Sequence, residues 1–147
     1  VSAATIPATQ RAGAAIRVVA GEVDGVRGPV TEIAANPVYL DVTLAANSNF
    51  VYPVPHDHMA LAYVFEGAGR FGAEAEAVAA VHMIMFAEGD QIEVSSDEGV
   101  RFMLIAGASI REPIAPYGPF VMNTDAEIRQ AIYELRNGTF IKEEAAA

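Results

Sequence analysis

The 147-residue chain contains no cysteine. That excludes disulfides, thiolate nucleophiles and zinc–thiolate sites, and it fits a cytoplasmic setting. Basic charge is also scarce. Nine Lys and Arg stand against nineteen Asp and Glu, a formal net charge of −10, and Lys142 is the single lysine. Such a surface repels phosphate backbones and offers no basic cluster, so neither nucleic acid nor an anionic membrane is an expected partner. No run of about 18 apolar residues exists to cross a membrane as a helix. The opening V-S-A-A-T-I-P lacks a basic region followed by an apolar block, so it does not read as a signal peptide. It also lacks an initiator Met, and the sequence reads as processed, trimmed or cut from something longer.

What is present is an apolar fraction of 52%, enough for the core of one ordinary domain. Short β-branched segments recur every 8–12 residues between turn signals, the pattern of a β-sandwich or barrel. The expected strands are Ile16–Val23, Val38–Ala45, Phe50–Val54, Ala60–Glu66, Val81–Phe86, Gln91–Ser95 and Val100–Ala106. In the second of these, Val38, Leu40, Val42 and Leu44 share one face, and Tyr39, Asp41 and Thr43 share the other. Asp24-Gly25 and Gly67–Gly72 read as turns, Ala73–Ala80 as a loop leading into a strand. Glu112–Asn123 carries three prolines and reads as irregular. One helix is expected at about Thr124–Asn137. Thr124 and Glu127 have capping-box spacing, Ile128, Ala131, Ile132 and Leu135 form an apolar stripe, and Gly138 stops it. Residues 1–15 read as an arm or interdomain linker, 16–140 as the domain, and 141–147 as a frayed tail.

Several stretches together resemble the pirin family. They are V-R-G-P-V at Val26–Val30, Y-L-D-V at Tyr39–Val42, P-V-P followed by His58 and A-Y-V-F-E-G, and G-D-Q-I-E-V at Gly89–Val94. R-F-M-L-I-A-G at Arg101–Gly107 and the long run from Glu112 to Phe140 complete the set. The resemblance implies a mainly β, cupin-type jelly-roll barrel with one C-terminal helix. Full pirins have two cupin domains, and the match is to the C-terminal one. The family's metal, usually iron, sits in the N-terminal domain on three histidines and a glutamate. Some pirins act as quercetin dioxygenases; others are transcriptional cofactors that work through protein contacts.

The one chemical constellation is H-D-H. His56 and His58 are two apart, so in an extended segment they share a face and form the first element of a metal site. In the cupin pattern a glutamate follows three or four residues later, where Ala62 and Tyr63 stand. A histidine follows the second turn, where Ile92 stands. His82 and Glu66 are the only substitutes nearby in sequence. The competing reading makes His58 a structural residue near the barrel mouth and His56 a solvated turn residue. No cofactor is expected for this chain on that reading; iron or another divalent metal is the alternative. Gly67–Gly72 matches G-x-G-x-x-G, but without a following helix it reads as a glycine turn rather than a nucleotide fingerprint. Glu74, Glu76 and Glu88 read as a solvated face. Met83, Met85 and Met103 read as core filling.

The sequence therefore supports a metal-free binding, docking or structural module of a two-domain or dimeric protein. Expected partners are a second copy, an N-terminal cupin domain, another protein or a small-molecule ligand. A metal-dependent oxygenase of the quercetin dioxygenase type is the alternative, using either an irregular site here or an N-terminal half. A non-catalytic small-molecule barrel is a third class. Phe120, Val121 and Met122 are expected to form part of an exposed docking patch.

Overall fold

Alternation of apolar residues along the segments 14–20, 38–44 and 100–106 builds the molecule. The computed structural model describes residues 2–72 and 75–142. Its strands are β1 (Ala8–Arg11), β2 (Ala14–Ala20), β3 (Glu22–Val23), β4 (Val26–Arg27), β5 (Val38–Leu44), β6 (Ser48–Pro53) and β7 (His58–Phe71). They continue with β8 (Ala77–Ala79), β9 (His82–Met85), β10 (Gln91–Ser96), β11 (Val100–Ala108), β12 (Ala115–Tyr117) and β13 (Phe120–Met122), followed by the helix α1 (Asp125–Arg136). Two compact units divide between Ser109 and Ile110.

The first unit is a curled antiparallel sheet of order β1-β2-β5-β11-β7-β10-β6, with β8 and β9 also on β7. Its inner face carries Ile16 and Val18 of β2, Leu40 and Val42 of β5, Phe50 of β6, Val64 of β7, Val94 of β10, and Phe102 and Leu104 of β11, all at most 2% exposed. Phe102 is the hub. Its ring meets Phe71 edge-on at 5.2 Å and Phe50 at 5.9 Å. Among the described residues, Ser96 is the only polar residue counted in this core apart from Tyr52, and it is satisfied: its hydroxyl donates to the Ala68 carbonyl at 2.6 Å.

Three expectations change here. Gly67–Gly72 is not a turn, because β7 runs unbroken through Phe71. The strand leaves β11, which it pairs up to Gly67, for β10 at Arg70 and Phe71. Gly67, at φ +71°, faces the carbonyl of Gly99 so closely that no side chain fits, so its glycine serves a barrel corner. Residues 8–11 of the expected arm form β1, held to β2 by a ladder from Ala8↔Arg17 to Arg11↔Ala14. The methionines expected in the core are outside it: Met83 is 62% and Met85 68% exposed, and Met103 is half-buried. Their register puts them on the outer face, beside Tyr63 and Leu61 of β7.

In the second unit the proline-rich stretch forms a small ribbon, β12 against β13, with Pro116 opposite Val121. Pro116 lacks a donor, which an edge position tolerates, and Gly118 takes the positive φ of the two-residue loop. The helix is capped as its sequence predicts. The Thr124 hydroxyl accepts from Glu127 N at 3.2 Å, and Glu127 accepts from Thr124 N at 2.8 Å. Gly138 stops it at φ +70°. Only part of the stripe is covered: Ile128 and Ala131 are buried, Ile132 is half-buried and Leu135 is exposed. Val121 is exposed, and Phe120 and Met122 are half-buried. The tail from 143 onward and Glu74 lie outside the described residues.

Candidate functional site

His58 opens β7, immediately after a turn made by His56 and Asp57. Pro53 and Pro55 both precede this turn. The His58 amide donates to the Pro55 carbonyl at 3.0 Å, which fixes the chain reversal. An extended 56–58 segment was the condition for both imidazoles to share a face, and it is not met. His56 is exposed on the turn, whereas His58 is half-buried, with a buried Nδ1 that has no hydrogen-bond partner.

The other ligand positions of the cupin pattern are occupied by hydrocarbon. Ala62, four residues along the same face of β7 as His58, is fully buried, and Ile92 on β10 is 3% exposed. Tyr63 points to the outer face. The substitutes are out of reach. His82 pairs with Val64, six residues along β7 from His58, or about 20 Å in an extended strand. Glu66 pairs with Arg101, farther still. Among the described residues no group of three or more His, Asp and Glu converges as a metal site requires. The residues present do not fit the family's metal.

What His58 does border is a groove of about 660 Å³. One wall is the β3–β4 hairpin, whose Asp24 and Gly25 take φ +51° and +80°, as a tight two-residue turn demands. The buried Tyr52 hydroxyl donates to the Glu22 carbonyl at 3.1 Å and ties that hairpin to β6. Burial pushes the Tyr52 phenol up, keeping it a neutral donor. The opposite wall is the 30–37 loop, in which Glu32 and Asn36 hold positive φ. The floor is apolar, with Val38 and Val54, and Arg27 stands at the rim, 3.3 Å from Glu22. Outside the hairpin, Arg11 grips Asp24 with two hydrogen bonds of 2.7 and 2.8 Å. Those bonds hold the Asp24 carboxyl below the usual range and raise Arg11.

A curled antiparallel barrel with a mouth of this kind defines the cupin class. The description "Pirin C-terminal cupin domain" matches residues 39–141, and the chain belongs to that family. Pirin-1 of Arabidopsis thaliana is 38% identical over 141 residues, covering 92% of this chain and 49% of that protein. Human pirin is 33% identical over 136 residues, covering 90% and 47%. A crystal structure of quercetin 2,3-dioxygenase from Acinetobacter baumannii superposes with a TM-score of 0.84 at 31% identity, covering 95% of this chain and 49% of that one. The chain spans about half the length of the curated relatives it matches.

Proposed function

We propose that this chain is a binding and docking module that carries no metal of its own, one half of a two-domain or dimeric pirin-like protein. The observation behind it is the apolar filling at Ala62 and Ile92, where a metal would need a carboxylate and an imidazole. A lone imidazole beside hydrocarbon makes a weak metal site. The groove beside His58 is of a size suited to small ligands and gives the binding role a place to act. Among the described residues no helix is long and apolar enough to cross a membrane. Together with the lack of cysteine, this supports work in the cytoplasm.

Elemental analysis of the purified, dialysed chain tests this. The expected result is well under one metal per molecule. Near one equivalent of iron, nickel, copper or zinc, lost in the double variant His56→Ala/His58→Ala, overturns it.

The likeness to a quercetin 2,3-dioxygenase favours a second reading, an oxygenase whose chemistry belongs to the whole two-domain protein. Quercetin consumption by the metal-supplemented chain alone would move the activity into this half.

A further inference from the structure

The groove beside His58 has two unlike sides. Its floor is hydrocarbon: Val38 and Val54 line it, each 7% exposed. One wall, the 30–37 loop, carries three oxygen-bearing side chains, Thr31, Glu32 and Asn36. All three are exposed, so core packing does not call for them. Glu32 and Asn36 nevertheless hold φ +62° and +43°, a strained region for a residue with a side chain.

The charges bordering the groove do not balance. Arg27, the only Lys or Arg of the lining, lies 3.3 Å from Glu22, and that pair cancels. Among the described residues no Lys or Arg pairs with Glu32. Its carboxylate is left as one negative charge in excess, on a chain of −10. A cleft of one sign concentrates ligands of the other. An anion would meet Glu32 and would have to displace Glu22 from Arg27. A hard metal ion needs more carboxylates than one, and no group of three or more His, Asp and Glu gathers among the described residues. It would also make no use of the apolar floor.

We infer that the groove takes a small organic ammonium, a primary amine charged at neutral pH and carrying a compact apolar body. The inference rests on the binding role proposed above and names the class of its ligand. An ammonium has three N–H donors and no acceptor, which suits a wall offering carboxylate, hydroxyl and amide oxygens. The body displaces water from over Val38 and Val54. A volume of about 660 Å³ leaves room for a bicyclic body. Because Glu32 is exposed, its share of the affinity is modest and weakens in salt.

Three probes that share one ring system and differ in charge test this: tryptamine, tryptophol and indole-3-acetate. The chain contains no tryptophan, so indole emission reports binding without protein background. The full chain is titrated with EDTA present, and amide NMR shifts locate each probe. Tryptamine is expected to bind about threefold or more tighter than tryptophol, with indole-3-acetate weakest. Its shifts should fall on Thr31, Glu32, Asn36, Val38 and Val54. Glu32→Gln should bring tryptamine to the tryptophol level and leave tryptophol unchanged. Arg27→Gln should tighten tryptamine by releasing Glu22. Both side chains are exposed, so circular dichroism should stay the same. Several results overturn the inference: indole-3-acetate as the tightest probe, a tryptamine preference that survives Glu32→Gln, shifts confined to residues outside the groove, or no binding of tryptamine with the chain at about 1 mM. Equal affinity for all three probes overturns the amine and leaves the binding role standing. Metal content is not read in any arm, so the metal-free reading fails or survives separately.

Discussion

The two faces of one sheet make opposite use of similar side chains. Inside, Phe102 and Leu104 of β11 are sealed by Phe50, Phe71 and the other strands. Outside, their neighbours Met103 and Ile105 sit among Tyr63, Leu61 and the methionines of β9, half-open to solvent. Both faces are apolar, so hydropathy alone does not separate them; closure does. The inner face closes on itself because the barrel curls. The outer face stays half-open to solvent, and the stability of the isolated chain should depend on one and hardly on the other.

The widest separation is expected between adjacent residues of β11. Phe102→Ala removes the hub of the inner face and should cost about 3–5 kcal/mol. Met103→Ala should cost under about 1 kcal/mol, because its side chain is only half-covered. Urea denaturation at sub-micromolar concentration measures both. Equal losses would show that the outer face is closed as well, and the contrast would collapse.

A smaller effect carries the same comparison to the helix. Ile128 is buried and Leu135, two turns on along the same stripe, is 56% exposed. Ile128→Asp should destabilise by about 1–3 kcal/mol through an unpaired buried charge. Leu135→Asp should be nearly neutral. Loss of helical dichroism on heating reports both, and a large effect at Leu135 would place it under cover in solution.

Much of the inner face was legible in sequence, because alternation in V-Y-L-D-V-T-L assigns Val38, Leu40, Val42 and Leu44 to one side, and the structure agrees. The helix was legible from its capping box and its Gly138 stop. The outer face was written in A-L-A-Y-V-F and V-H-M-I-M-F, where large apolar residues occupy both parities. Apolar residues at both parities leave open which of the two faces is the buried one. Taking Met83 and Met85 as core filling missed it, since a parity is fixed only by register, and register comes from strand partners far along the chain. The same is true of Gly67–Gly72. A glycine cluster predicts a turn locally, whereas the approach of Gly99, 32 positions away, makes it a corner within a strand. His56 and His58 show the limit for sites: spacing proposes a shared face, but the chain turns at His56 and Asp57, closed by the His58 amide on the Pro55 carbonyl, and the pair is parted.

The smallest effect concerns acid, and it sharpens the contrast from the inside. Among the described residues the inner face carries no carboxylate, so acid reaches the fold only from outside. The Arg11–Asp24 pair, which joins β1 to the β3–β4 hairpin, is one such place. Its hydrogen bonds hold the folded Asp24 carboxyl below its ordinary value. A group with a depressed folded pKa adds stability above its unfolded pKa and loses it as pH falls through the folded one. Stability should therefore decline as pH drops below about 4, the ordinary aspartate range. Asp24→Asn should flatten that part of the decline. The difference should be small, because the Asp24 side chain is 48% exposed and solvent screens the pair, and it should shrink further in salt. Urea midpoints of both proteins at pH 6 and pH 3, at low and high salt, give the comparison. If the Asp24→Asn protein loses as much stability on acidification as the parent, the pair adds nothing to the fold, and other surface carboxylates must explain its acid sensitivity.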